Sequence, residues 1–167
     1  MAQLSRQLTF TKLVAFHQAI ATAHNSINGF FRFNINELNN QFRSGIKTPA
    51  LLLESYSASI EENTNNTVNF NNRDMSFLLL DFTGNADNYN KQDLVLDNLE
   101  NVALDIISYL KQQHKTKESI LFGMLQPNSF RLEKVGPIFD NMYGWNILYT
   151  LKNHEPMSFN PDNWTFS

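Results

Sequence analysis

The chain has 167 residues, of which 42% are hydrophobic and 14 are Phe, enough for one domain with a substantial core. A net charge of −3 and only 17% charged residues provide no positive field for nucleic acid, so specific nucleic-acid binding is disfavoured. The lack of Cys excludes disulfides, thiolate metal sites and cysteine nucleophiles, and no apolar run suits a signal peptide or a membrane span, so we expect no membrane contact.

The first predicted element is a helix that begins after Thr9 and stops at Asn28–Gly29. Residues 1–8 are predicted to form a mobile or docking arm. Apolar residues and two histidines share one face of this helix at helical spacing: Phe10, Leu13, Val14, His17, Ile20, Ala21 and His24. The two histidines are two turns apart, too far for two ligands of one ion. We therefore interpret them as helix-face residues with separate partners, rather than as a metal or acid–base pair.

A Phe-rich segment, Phe30 to Phe33, leads into residues 34–45, which are predicted to form a short helix with an Asn cap. Ser44–Gly45 would end that helix. Pro49 then marks the entry into ALLLESY, a run of apolar and then polar residues that predicts a strand.

The Asn-rich segment that follows has two interpretations, a loop or a long hairpin. We favour a hairpin over residues 55–73, with its turn near Asn63 to Asn66. Its second arm would pass through Val68 and Phe70 into residues 75–82. That run is nearly continuously apolar, as in a central strand covered on both faces.

The stretch from Asn90 to His114 is the clearest helix in the sequence, and we predict a helix over 91–113 capped by Asn90. Apolar residues recur at spacings of three and four, which indicates one buried face: Val95, Leu99, Val102, Ile106 and Leu110. A helix of about 23 residues would be about 34 Å long, enough to cross a sheet.

The last part of the domain is predicted to be an antiparallel hairpin. Its first strand lies in FRLEKVGPIFDN, where Gly136–Pro137 predicts a bend, a bulge or an edge position. A tight turn at Asn141 to Gly144 leads to a strand over 143–152 with clear period-two alternation. We expect residues 1–155 to form a single α+β domain.

Residues 156–167 are expected to form an extended C-terminal tail, because two prolines deny it a helix or a central strand. The tail carries three aromatic residues, Phe159, Trp164 and Phe166. We predict that it docks on an adjacent subunit or ring, with Trp164 as the anchor; the alternative is that it folds back over its own sheet.

No catalytic motif accompanies the polar residues near the predicted strand ends. Asp81, Asp87, Glu133 and Asp140 are scattered, so they are interpreted as solvated loop acids rather than an acid–base pair. Ser44 and Ser76 lack a sequence-level partner that would activate them. An enzyme is therefore disfavoured, and no cofactor or metal is predicted.

These elements form an α+β layout: an antiparallel sheet of about four strands, arranged as two hairpins, packed against the long helix and the N-terminal helix. The layout resembles the tail-terminator and tail-completion proteins of tailed bacteriophages. Two stretches, FRFNINELNNQFRSGIKTPALLLES and PIFDNMYGWNILYTL, resemble small neck or tail proteins of phages that infect Bacteroidetes. The resemblance covers roughly residues 10–152.

The resemblance implies a non-catalytic virion protein that assembles in the host cytoplasm into a ring at the head–tail junction or tail end. The ring would be a homo-oligomer, often six- or twelve-fold, which contacts portal, connector, neck or tail proteins while DNA passes its lumen without specific binding. The alternative is a small non-catalytic binding or adaptor module that uses the 55–73 hairpin. The candidate interface residues lie in the hairpin and the tail: Asn66, Val68, Phe70, Phe159, Trp164 and Phe166.

Overall fold

The computed structural model describes residues 6–33, 46–65, 68–85, 87–139 and 141–165. The described residues form an α+β fold in which two helices pack on one sheet. The helices and strands, in chain order, are α1 (Phe10–Ala23), β1 (Gly29–Phe33), β2 (Ala50–Glu54), β3 (Ser57–Glu62), β4 (Asn69–Phe82), α2 (Tyr89–Lys115), β5 (Arg131–Ile138) and β6 (Met142–His154). The predicted short helix over 34–45 lies outside the described residues.

The sheet that the described residues form is mixed and has six strands, so the expectation of about four antiparallel strands is wrong in that detail. The strand order is β1-β2-β4-β6-β5, and β3 also pairs with β4. The unexpected strand is β1, which runs parallel to β2 with Gly29 opposite Ala50. Parallel strands require a long connection, so no local turn signal in the sequence predicts that β1 and β2 are paired.

The predicted long hairpin is present, because β3 pairs antiparallel with β4 in the register Glu62–Asn69. β2 and β3 lie one after the other along the same edge of β4. β2 pairs with the apolar half of β4, where Leu52 is opposite Leu78, and β3 pairs with the polar half. The long strand β4 therefore has two parts: an apolar half paired with β2 and a polar half that forms the hairpin with β3.

The main core lies between the two helices and one face of the sheet. Ile106 and Leu110 of α2, together with Leu13 of α1, pack against the Phe77 and Ile147 face. Alternation along β4 and β6 sends every second residue to this face. The predicted long helix is confirmed, although its N-cap is Asn88 rather than Asn90, since Asn88 Oδ1 accepts from Lys91 N–H at 3.1 Å.

The opposite face of the sheet carries a smaller cluster of buried residues, made of Phe33, Ala50, Leu52, Leu78 and Leu80. Ile46, Val135 and Phe139 pack against it. This second cluster explains why residues 75–82 are apolar without alternation, since both faces of β4 are covered there. Towards the Asn69 end of β4, the same face becomes polar.

The predicted second hairpin is also present, with β5 antiparallel to β6 and Leu132 opposite Ile147. The register shifts between Val135 and Ile138, where the sequence predicts a bend or bulge. Gly136 has a φ of 119°, and a Cβ there would lie 2.7 Å from the Met142 carbonyl oxygen. Only glycine fits this position without strain.

Of the predicted mobile or docking arm, the described residues 6–8 are docked on the domain body rather than mobile. Leu8 is fully buried in the main core. Thr9 caps α1 by accepting from Lys12 N–H, and Arg6 binds Glu155 at the end of the last strand.

Candidate interaction surface

The hairpin of β3 and β4 projects beyond the helices and exposes every residue of β3. Its closing end is held by backbone and side chain together: Asn63 N–H donates to the Val68 carbonyl at 3.0 Å, and Asn63 Oδ1 accepts from Val68 N–H at 3.2 Å. Val68 is half-buried in this closure. Asn66, which the sequence also places here, lies outside the described residues.

Phe70 lies on the sheet face that the helices leave uncovered, and it is half-buried there by its neighbours. The Lys152 Nζ atom is 4.9 Å from the Phe70 ring centroid, and the His154 ring meets Phe70 edge-on. Lys152 also pairs with Glu61 of β3 at 3.0 Å. These contacts lower the pKa of the Glu61 carboxyl, through its hydrogen bonds with Asn72 and Lys152. A contact with Phe70 would therefore involve this polar surround as well.

A buried polar cluster joins β4 to the start of the C-terminal tail. Arg73 is 1% exposed; its Nη1 donates to Asn153 Oδ1 and its Nη2 to Glu155 Oε2 at 3.3 Å. Asn71 Nδ2 donates to the same carboxylate at 3.0 Å. The Arg73 guanidinium also lies 5.7 Å from the Tyr56 ring centroid, a favourable cation–π arrangement. This cluster carries a buried ion pair beside a mainly apolar core.

Arg6 completes the cluster from the N-terminal side. Its Nε and Nη2 donate to the two oxygens of Glu155 at 2.7 and 3.1 Å, a bidentate arrangement. The Arg6 hydrogen bond, helped by Asn71 and by the charge of Arg73, lowers the pKa of Glu155 to about 2. The same contact raises the pKa of Arg6. Both ends of the domain are thus fixed to one carboxylate.

The sequence does not predict this cluster, because Arg73 is separated from Asn153 and Glu155 by about 80 positions. The only local signal is the polar pair Asn71 and Arg73, which alternate on the same face as the apolar residues of β4. Two of its atoms, Asn71 Oδ1 and Arg73 Nε, have no hydrogen-bond partner among the described residues.

Beyond Glu155 the tail leaves the body of the domain, and its described residues 156–165 are all exposed. Phe159 is 68% exposed and Trp164 is 59% exposed. Their ring centroids are 6.2 Å apart, on either side of a single 3-10 turn at Pro161–Asn163. Phe166 lies outside the described residues. The two described aromatic interface candidates therefore lie together on the surface.

The two histidines of α1 contact different partners. His17 is fully buried: its Nδ1 donates to the Leu13 carbonyl at 2.7 Å, and its Nε2 accepts from the Tyr149 hydroxyl at 2.6 Å. This arrangement defines a neutral tautomer with the proton on Nδ1. His24 instead lies 3.6 Å from Asp105 on α2.

Burial lowers the pKa of His17 to about 4, and it raises the pKa of Tyr149 above its usual value. The unfolded chain binds a proton at an ordinary His pKa near 6.5, so stability should be complete above pH 6.5 and fall as the pH drops towards 4. The loss amounts to about 3 kcal/mol over this window. We expect a His17→Gln variant to lose this slope in chemical denaturation series, whereas His24→Gln keeps it. An unchanged slope in His17→Gln would contradict the assignment.

The acidic residues near the strand ends have separate surroundings. Asp81 accepts a hydrogen bond from Phe82 N–H, while Asp87 and Glu133 are exposed. Ser76 donates to Asn146 Oδ1 at 2.7 Å, so its partner is an amide rather than a base. Asp140 and Ser44 lie outside the described residues. Across the described ranges, no group of three or more metal-ligating side chains converges.

A shallow groove of about 310 Å³ lies between α1 and α2, a feature that the sequence does not predict. Ala19, Ala23 and Tyr109 line it, and the His24–Asp105 pair stands at its wall. Small residues on α1 create the gap, since Ala side chains leave space where longer chains would fill it.

No protein-family model matches this chain, and no curated protein matches its sequence. Neither helix of the described part of the chain combines the length and the apolar character needed to cross a bilayer.

Proposed function

We propose that this chain is a virion structural protein of a tailed phage, a tail-completion, tail-terminator or neck protein that forms a ring at the head–tail junction or tail end. It acts by assembling with copies of itself and by docking on portal, connector or tail proteins. The resemblance of its sequence to such proteins suggests this role, and the exposed aromatic tail supports it.

The observation that carries the proposal is the pair Phe159 and Trp164, exposed together on a tail fixed to the domain by Glu155. An aromatic side chain covers roughly 150–250 Å², and each Å² of apolar surface left in water costs about 25 cal/mol. A protein that holds two such rings on its surface gains by burying them against another protein. Anchoring at Glu155 gives the tail a fixed point of departure from the domain.

In a ring, each copy would use one surface to contact a different surface of the next copy, and the contact would repeat until the ring closes. The net charge of −3 suits a lumen through which DNA passes without binding. Assembly would take place in the cytoplasm of the bacterial host, and the finished ring would remain in the virion.

The test is the structure of the phage particle. We expect proteomic analysis of purified virions to find the chain, and electron cryomicroscopy to place several copies around the tail axis. A single isolated copy in the particle, or absence of the chain from purified particles, would reject the proposal.

Deletion of residues 156–167 should leave the melting temperature of the purified domain within a few degrees of the parent, because the described residues of this segment are exposed. The same deletion should impair incorporation into particles, measured by complementation of a phage that lacks the gene. The double variant Phe159→Ser, Trp164→Ser is the matched control that keeps the tail length, and it should fail in the same way. A truncated protein that unfolds, while its surviving molecules assemble normally, would favour a tail that folds over its own sheet.

A second function, a small binding or adaptor module, is favoured by the projecting hairpin with its fully exposed β3. In that case the protein would be a monomer or dimer that binds a different protein through residues 55–73. Native mass measurement of the assembled particle separates the two functions, since only the ring contains many copies in direct contact.

A further inference from the structure

We propose that neighbouring copies assemble by pairing β3 of one copy antiparallel with β5 of the next, so that the sheets of adjacent subunits become continuous. This inference rests on the proposed ring and names its contact surfaces. Both strands lie at the sheet edges: β3 pairs with β4, β5 pairs with β6, and no other strand of the described residues pairs with either. Such edges are templates for a further strand.

The closure of the hairpin shows which residues of β3 direct their backbone N–H and C=O groups to the outer edge. In an antiparallel pair, successive residues point their backbone N–H and C=O groups alternately towards and away from the partner strand. Asn63 N–H donates to the Val68 carbonyl in the β3–β4 register, so Asn63 points towards β4. Ala58, Ile60 and Glu62 therefore present their backbone groups to the outer edge.

The pairing of β6 with its two neighbours shows in the same way which residues of β5 direct their backbone groups to the outer edge. Glu155 N–H donates to the Asn69 carbonyl, so the odd-numbered residues of β6 point towards β4 and the even-numbered ones towards β5. Within β5, Arg131 is opposite Leu148 and so points inward. Leu132 and Lys134 consequently present their backbone groups to the outer edge.

One antiparallel register satisfies both edges: Ile60 opposite Leu132, with Ala58 opposite Lys134. Ile60 and Leu132 share the helix-covered face, because they pair with Asn71 and with the core residue Ile147. Ile60 is 49% exposed in the single copy and would gain an apolar neighbour. The side-chain faces, the outward backbone groups and the apolar contact are therefore all satisfied by this one register.

Charge selects the same register. On the opposite face it places Glu61 against Arg131, an acid against a base in directly facing positions. Moving the pairing by two residues would place Glu61 against Glu133 or against Ser129, which removes this attraction. A shift by one residue would put Ile60 on the wrong face.

The neighbouring strands limit the contact to the same residues. β1 occupies the position beside β2 as far as Phe33, whose carbonyl accepts from Ser55 N–H at 3.1 Å. Among the described residues, the unpaired edge therefore starts near Ser57, which the register places opposite Val135, immediately before the Gly136 bulge. Each contact uses residues 57–61 of β3 and the regular part of β5, residues 131–135.

The direction of the strands gives a repeating assembly. β3 and β6 both run antiparallel to β4, and β5 runs antiparallel to β6, so β3 and β5 run in opposite directions within one copy. Two copies side by side in the same orientation then bring these strands together antiparallel. Because the two edges differ, the contact is heterologous, and it closes when the rotation per copy permits a ring.

Disulfide trapping tests the register directly, since the natural chain contains no Cys. Ser59 and Glu133 would form a non-hydrogen-bonded pair, whose Cα atoms lie about 4.5 Å apart, within the range for a disulfide. We expect equal amounts of the single variants Ser59→Cys and Glu133→Cys, mixed at high concentration in a glutathione redox buffer, to form a mixed disulfide dimer as the main product. The double variant Ser59→Cys, Glu133→Cys should form a ladder of higher multiples on a non-reducing gel.

The matched control is Ser59→Cys, Lys134→Cys, which places the two thiols on opposite faces and should not give the ladder. Dimers from Ser59→Cys alone at the yield of the mixture would overturn the inference in favour of β3 pairing with itself. Virions that contain the ring, combined with no Ser59–Glu133 disulfide in the mixture or in assembled particles, would overturn the inference and leave the proposed function intact. If the mixture forms the disulfide but purified virions contain no copies of the chain, the strand pairing stands and the proposed function is rejected.

Discussion

Ile106→Asp should unfold the protein or lower its free energy of unfolding by several kcal/mol. Ile106 is 1% exposed and lies in the main core between α2 and the sheet. An aspartate there loses the apolar contacts of the Ile side chain and places a carboxylate without a partner in that core. Circular dichroism and denaturant titration of the purified variant provide the measurement.

The matched control is Leu104→Asp on the same helix, at a side chain that is 50% exposed. It introduces the same charge at nearly the same distance along the helix dipole, but it does so in water. We expect its stability to remain within about 1 kcal/mol of the parent, as for surface changes in general. Equal melting behaviour of the Ile106→Asp variant and the parent would mean that this face of α2 is wrongly assigned.

The second large effect is expected for Glu155→Gln, which should destabilise the domain by about 3–5 kcal/mol. The amide keeps the shape of the carboxyl but removes the negative charge that Arg73 and Arg6 share. Arg73 would then be a buried cation without a counter-charge. Denaturant unfolding at neutral pH measures the loss, since the Glu155 carboxyl is ionised far above its pKa of about 2.

Glu61→Gln is the control, because it removes a carboxylate from the exposed Lys152 pair, which solvent screens, and it should leave the stability close to that of the parent. The double variant Arg73→Met, Glu155→Gln removes both buried charges and should recover a large part of the stability lost in Glu155→Gln. If Glu155→Gln and Glu61→Gln are equally mild, the buried ion pair does not stabilise the fold in the way described.

The elements that the sequence predicts best are those whose signals are local. The long helix was predicted over 91–113 and spans Tyr89–Lys115, because its apolar period is carried by consecutive residues. The alternating run predicted over 143–152 lies within β6 for the same reason. The hairpin of β3 and β4 was recognisable from an Asn-rich turn between two extended runs.

The missing parts depend on contacts between distant positions. β1 was not recognised because its partner Ala50 lies far along the chain and the pairing is parallel. The Tyr149 hydroxyl that holds His17 is 132 positions away. For the same reason the sequence does not predict the cluster around Arg73, and its asparagines have the character of ordinary surface residues. The exposed tail positions of Phe159 and Trp164 agree with the extended segment expected from the prolines, while their docking partner stays a prediction.

The anchoring of the tail at Glu155 also has a mechanical consequence. A force applied to the tail along the strand direction acts on the end of β6, a strand of 13 residues that runs between β4 and β5. Its hydrogen bonds to both neighbours lie across the direction of pull, so the load acts on them in shear and distributes over many bonds at once. The Glu155 bonds to Arg6 and Arg73 must also break before the strand can slide. A tail attached in this way can bear tension along β6 without unzipping its own domain.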